Sequence, residues 1–171
     1  RNSTFNVLLY DEHMRQEALL HQELNGRLET ALKDGELVPW FQAKVDMRTG
    51  AIIGSEALVR WNHPVHGLLM PGSFIPLFER NGLVVDIDMH IFEQVCMTMK
   101  SWRLRNLPLR TVSCNFSRLH FDRPEFPRQL VEIAGRYAIP HDLLEVEITE
   151  SAIMKNPEAA WLRLIQLKQF G

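Results

Sequence analysis

Three short stretches of this 171-residue sequence end an apolar or alternating run in oxygen-bearing side chains. The first is Gly54-Ser55-Glu56-Ala57-Leu58-Val59-Arg60-Trp61, which follows the apolar run Ala51-Ile52-Ile53. The second is Thr111-Val112-Ser113-Cys114-Asn115-Phe116-Ser117, and the third runs from Leu143 through Glu145, Glu147 and Glu150 to Ser151. A carboxylate such as Glu56 can hold a divalent ion, and a guanidinium such as Arg60 can hold a phosphate oxygen. Taken alone, the first stretch reads more readily as an ion pair on a strand edge. The repetition points further. Parallel strands place their C-terminal ends at one rim, so Glu56, Asn115 and Glu147 converge if the three runs are parallel strands. Three hard oxygen donors suit Mg²⁺ or Mn²⁺ better than Zn²⁺. Nitrogen ligands are a weaker signal. His63 and His66 lie three apart around Pro64, with no third nitrogen or sulfur donor in the pattern, and read as part of a solvated turn.

The elements that must carry these residues follow from periodicity. Met14, Ala18, Leu24, Leu28, Ala31 and Leu32 predict a helix from Asp11 to Lys33, with Asp11 as N-cap, Gly35 as stop and Gly26 as a bend or break. Val38 to Asp46 alternates as a first strand. The turn Asp46-Met47-Arg48-Thr49-Gly50 is short enough to make the next strand antiparallel to it, with Ala51 to Gly54 as a buried run. Helices are predicted over Pro71–Asn81, Asp88–Leu104 (Asp88 serving as a cap), Pro124–Tyr137 and Pro157–Phe170. Strands are predicted up to Asn115 and over Leu143–Thr149, where alternation sets Glu145, Glu147 and Thr149 on one face. Strand and helix segments thus alternate in the manner of a parallel βα sheet.

The sequence resembles the EAL domains, phosphodiesterases acting on the bacterial messenger cyclic di-GMP. The resemblance rests on Phe41-Gln42-Ala43-Lys44-Val45-Asp46, Thr49-Gly50, Glu56-Ala57-Leu58-Val59-Arg60-Trp61, His63-Pro64, Pro71, Phe74-Ile75 and Asn81-Gly82-Leu83. It continues through Asn115-Phe116-Ser117 and Glu147-Ile148-Thr149-Glu150-Ser151. A TIM-type (β/α)8 barrel is implied, with a first strand opposed to the others. The resemblance further implies Glu56, Asn115 and Glu147 as ligands of a first catalytic Mg²⁺ or Mn²⁺, Arg60 on a phosphate oxygen and Gln42 on the nucleotide. Glu150 would orient, from outside the ligand set, the loop that carries the remaining ligands. Two ions would clamp the attacking and leaving oxygens as water opens cyclic di-GMP to linear pGpG. The family's later aspartates, lysine and acidic residues fall outside this sequence. The usual proline after the glutamine is Ala43 here, which bears on loop stiffness. Asp88 resembles an acidic position of the family. Tyr10 to Arg15 resembles the join between a GGDEF domain and an EAL domain. A domain that binds cyclic di-GMP without hydrolysis, or a protein-interaction scaffold, is the alternative function.

An (β/α)8 barrel usually takes about 250 residues. The expectation is therefore a linker over residues 1–26 and, over 27–171, the first half of the barrel: about four strands with their helices. Apolar faces at Leu162, Ile165 and Leu167 are expected to be partly uncovered and to favour a homodimer or other self-association. With 19 basic and 21 acidic residues there is no electrostatic footprint for a nucleic-acid polymer. No apolar run reaches the roughly 18 residues of a membrane span, and no signal peptide is recognisable. Cys96 and Cys114 read as reduced thiols of a cytoplasmic protein, with an upstream membrane anchor in the parent left open.

Overall fold

The computed structural model describes residues 12–148 and 157–170. It opens with helix α1 (Glu12–Lys33), followed by strands β1 (Leu37–Val45), β2 (Ile52–His63) and β3 (Gly67–Leu69). Helices α2 (Ile75–Asn81) and α3 (Val84–Leu104) precede β4 (Thr111–Asn115), α4 (Phe126–Tyr137), β5 (Leu144–Glu147) and α5 (Pro157–Phe170). The sheet order is β1-β2-β4-β5, with β3 paired to β2. β1 runs antiparallel to β2, whereas β2, β4 and β5 are mutually parallel. Pro39 is tolerated in β1 because that strand stands at the end of the sheet order. This is a mixed α/β fold, with the alternation of strand and helix that a barrel requires.

Strand alternation divides the sheet into two unlike faces. Leu37, Phe41, Ala57, Trp61, Val112, Cys114 and Val146 belong to the face that packs on the helices. Helix α3 answers with Ile87, Ile91, Val95, Cys96 and Met99, a stripe at four- and three-residue spacing, all buried. Trp61 is fully buried, crosses Phe74 edge-on at 5.4 Å and donates its indole N–H to Glu36 at 2.9 Å. Arg27 pairs with the same Glu36, so the buried indole and an ion pair share one carboxylate. Both cysteines are buried and unpaired, and burial raises their pKa, Cys96 to about 12.

Several boundaries differ from the periodicity reading. β2 does not end near Gly54 but continues to His63, because β1 and β3 both supply it with ladder partners. Ile52 and Ile53 are more than half exposed rather than buried, since the apolar packing of β2 begins only further along, at Ala57 and Trp61. Gly26 does not break α1, which buries Leu24 and Leu28 on either side of it. Pro71–Ser73 forms a single 3₁₀ turn, and α2 starts only at Ile75. α3 begins at Val84, so Asp88 lies inside the helix and caps nothing. Thr149 and Glu150 lie outside the described residues, as does Asp11.

Candidate functional site

The other face of the sheet is polar. Gln42 stands opposite Glu56, and Lys44 opposite Gly54, across the antiparallel pair. Glu56 lies beside Ser113, Ser113 beside Glu145, and Asn115 beside Glu147 across the parallel pairs. Arg60 shares this face by alternation, four residues beyond Glu56. Residues far apart in sequence are thereby held on three parallel strands and one antiparallel neighbour.

At the C-terminal end of β4 the Asn115 amide donates from Nδ2 to Glu56 Oε1 at 2.8 Å. The reverse amide orientation would set oxygen against oxygen. Lys44 Nζ donates to Glu147 Oε1 at 2.7 Å and to Glu145 Oε2 at 3.1 Å. β1 and β5 are the two ends of the strand order, so this bridge requires a strongly curled sheet. The Lys44 hydrogen bond holds the Glu147 carboxyl below the usual carboxylate range, against partial burial, which pushes the other way. Lys44 is correspondingly raised, first by Glu147 and then by Glu145, with burial opposing. A cleft of about 370 Å³ opens at the rim beside Asn115 and Glu147, with Asp88, Glu79 and Arg118 on its walls. Glu56, Asn115 and Glu147 are all oxygen donors, a set that fits Mg²⁺ or Mn²⁺.

Two supports hold β2, β4 and the loop after β4 in place. A Cβ on Gly54 would meet Thr111 Oγ1 at 2.6 Å and the Thr111 carbonyl oxygen at 2.8 Å, so only glycine allows β2 and β4 this approach. Asp88 Oδ2 accepts from the backbone N–H of Ser117 at 2.8 Å and faces His120 Nε2 at 3.1 Å. That bond pins the loop just past Asn115 to α3. Burial pushes the Asp88 carboxyl above the usual range, opposed by the hydrogen bond from His120. The His120 ring is itself enclosed between Phe116 and Phe126. Sequence reading missed His120 altogether. Asp88 was visible only as a helix cap or as a resemblance to an acidic family position, and its partners lie 29 and 32 residues away.

Arg60 rests with its guanidinium 5.6 Å from the centroid of the Trp40 ring and donates from Nη1 to its own neighbour's carbonyl, Val59 O, at 2.8 Å. Its Nε is buried and has no hydrogen-bond partner among the described residues. Glu150 lies outside the described residues.

A second cluster forms on the other side of the β2 ladder. Glu23 of α1 places Oε2 3.0 Å from His66 Nε2 and Oε1 3.6 Å from His63 Nε2. The three ligand-type atoms lie within 4.8 Å of one another. A third donor is thus present after all: a carboxylate oxygen that the local pattern did not contain. His63 is also not part of a solvated turn. It is the last residue of β2 and only 3% exposed, because its ring packs beside Trp61. The spacing suits a metal, but the hydrogen bonds do not. His63 Nδ1 accepts from the backbone N–H groups of Val65 at 3.3 Å and His66 at 3.2 Å. The neutral ring therefore carries its proton on Nε2, and the lone pair a metal needs there is lacking. The cluster reads as a carboxylate holding the His66 imidazole against α1, while His63 Nε2, 3.6 Å from Glu23, is buried with no hydrogen-bond partner among the described residues.

A family profile described as the EAL domain matches residues 25–171. MucR of Pseudomonas aeruginosa, a bifunctional diguanylate cyclase/cyclic di-GMP phosphodiesterase, is 33% identical over 162 residues, covering 95% of this chain and 24% of MucR. The oxygen sensor protein DosP of Escherichia coli is 32% identical over 148 residues, covering 86% of this chain and 18% of DosP. The solved structure of the P. aeruginosa MucR phosphodiesterase in complex with c-di-GMP superposes with a TM-score of 0.80 at 34% identity. That match covers 87% of this chain and 60% of the solved one. The chain therefore spans a quarter or less of the length of these two curated relatives.

Proposed function

The chain belongs to the EAL domain family, and from that membership we propose that it forms part of a phosphodiesterase that opens cyclic di-GMP to linear pGpG. The observation that carries the reading is the convergence of Glu56, Asn115 and Glu147 from three parallel strands, with Asn115 bonded to Glu56 and in register with Glu147. The relationship to MucR, named for this phosphodiesterase activity, supports it.

In this reading Glu56, Asn115 and Glu147 hold Mg²⁺ or Mn²⁺. A pair of such ions supplies, when bound, Lewis-acid polarisation of the phosphodiester and a more acidic attacking water. The rest is the work of the protein's own groups. The Lys44 hydrogen bond holds the Glu147 carboxyl below the usual carboxylate range. Arg60, stacked on Trp40 with Nε unpartnered, presents N–H donors to a phosphate oxygen. Gln42, directly opposite Glu56, offers its amide to the nucleotide beside the scissile bond. Glu150 steadies the loop that brings the remaining ligands. The domain works in the cytoplasm, behind a GGDEF domain in its parent protein, and self-associates through uncovered apolar surface. Leu162 and Ile165 of α5 are 49% and 40% exposed, and Leu167 is half-buried against the core.

A receptor that binds cyclic di-GMP without turnover is the second reading. It is favoured by one observation: the Asn115 amide and the Lys44 ammonium hydrogen-bond the carboxylates of Glu56 and Glu147. Chromatography of cyclic di-GMP incubated with the full-length parent protein and Mg²⁺ tests both. Hydrolysis is expected, and Glu56→Ala is expected to reduce it more than about 100-fold while leaving the melting temperature near wild type. Undiminished turnover in a folded Glu56→Ala protein rules out the ligand role. Tight binding of the nucleotide by wild type with no pGpG formed establishes the receptor.

A further inference from the structure

Lys44 is the one feature of the polar face that the reading above uses without explaining. It comes from the antiparallel strand β1, yet its ammonium lies between two carboxylates of β5, at the far end of the strand order. Opposite it in the ladder stands Gly54, which has no side chain to obstruct the Lys44 stem. Glu145 and Glu147 are two residues apart on one strand and so share a face. One ammonium thus has two seats, one of them on the residue read as a metal ligand.

We propose that Lys44 is a resident counter-cation that competes with the divalent ion for Glu147, and that Glu145 is the seat to which it retires when the ion binds. The inference rests on the reading of Glu147 as a ligand. Its physical basis is simple. Without an ion, Glu145 and Glu147 are like charges held close together on one face, and Lys44 offsets their repulsion. An ion arriving at Glu147 meets a positive charge already 2.7 Å from its ligand oxygen. Repulsion between the two cations lowers ion affinity, unless the ammonium moves off. Glu145 makes that movement small, because Lys44 already donates to it at 3.1 Å. Lys44 therefore offsets part of the negative charge of Glu145 and Glu147 and keeps ion binding weak enough to be reversible.

The test is ion binding itself, measured by calorimetric titration of the full-length parent protein with Mn²⁺ and no nucleotide. Lys44→Met removes the competing charge at similar length, and is expected to tighten Mn²⁺ binding by at least about tenfold. Lys44→Arg keeps the charge and is expected to stay within about threefold of wild type. Glu145→Gln removes the retirement seat and is expected to weaken binding by about threefold or more. A Lys44 that merely braced the structure would give the opposite sign for Lys44→Met: weaker binding, from a loosened Glu147. Melting curves supply a second readout. Lys44→Met is expected to melt below wild type without ions and to gain more than wild type from saturating Mn²⁺. Where Lys44→Met does not fold, Lys44→Gln carries the same test. Unchanged or weaker Mn²⁺ binding in both neutral variants, with binding abolished in Glu147→Ala, overturns the role of Lys44 alone. Wild-type Mn²⁺ binding in Glu147→Ala overturns the ligand reading beneath it.

Discussion

The polar face of the sheet and the Glu23–His63–His66 cluster look alike as collections of ligand-type side chains, and they differ in what holds those side chains. Around His63 the ligand atom is occupied from behind: two backbone N–H groups claim Nδ1, and the proton they leave on Nε2 faces Glu23. On the polar face the side chains are held by other side chains, an amide at Asn115 and a flexible ammonium at Lys44. A histidine locked by the backbone is a strut. A carboxylate balanced by a lysine can change partners. Spacing alone does not separate a ligand set from a latch; the far side of each side chain does.

The largest effect that would break this contrast is expected from Gly54→Val. Its Cβ would collide with Thr111 Oγ1 and the Thr111 carbonyl, forcing β2 from β4 and Glu56 from Asn115. A cost of about 1–3 kcal/mol is expected in urea denaturation, with the Glu23–His63–His66 cluster unaffected. If the variant unfolds at the wild-type midpoint, the strands are not held as closely as described.

A smaller effect separates the two clusters by pH. Burial holds His63 below the ordinary histidine value of 6.5. Its neighbours pull both ways: Glu23 and Glu36 raise it, His66 and Arg27 lower it. A folded pKa below the unfolded one means that the unfolded chain binds the proton first. The stability that His63 contributes is therefore present above about pH 6.5 and is lost as pH falls below it. Glu147 is also depressed, from 4.5, so its contribution persists down to that region and is lost only below it. Melting temperature should thus fall between pH 7 and pH 5 because of His63 and not the polar face. His63→Asn, which can still accept the two backbone N–H groups, should flatten the slope. An unchanged slope in that variant would place the acid sensitivity elsewhere.

The smallest effect is expected from Zn²⁺. Calorimetric titration with Zn²⁺ should show no binding step that is lost in Glu23→Gln or His66→Ala, and Glu23→Gln should melt close to wild type, because the Glu23–His66 pair is substantially exposed. A stoichiometric Zn²⁺ site abolished by either substitution would show that the His63 ring turns over and that the latch is a metal site.

Much of the fold was legible locally. The hairpin turn could be read because Asp46, Thr49 and Gly50 act over a few residues: the Asp46 carboxylate accepts from Arg48 N and Thr49 N, and Gly50 takes a positive φ of 71°. The last helix, Pro157–Phe170, falls where its periodicity placed it. The length of β2 was not legible, since a strand extends as far as its neighbours pair with it and β3 is only three residues long. Nor was the role of Asp88, which reads as a cap until the loop after β4 is seen to fold back on it.

Two-residue alternation is a property of the extended backbone, so the common face of Glu145 and Glu147, and of Glu56 and Arg60, was settled by order of residues alone. Oxygen donors without cysteine or histidine were likewise in the text. The identity of the partners was not. Lys44 reaches Glu147 across 103 residues, and His66 reaches Glu23 across 43, through the curl of the sheet and the seating of α1. Charge balance and tautomer depend on distances of about 3 Å between such remote atoms, and no local propensity encodes a distance between segments that only packing brings together.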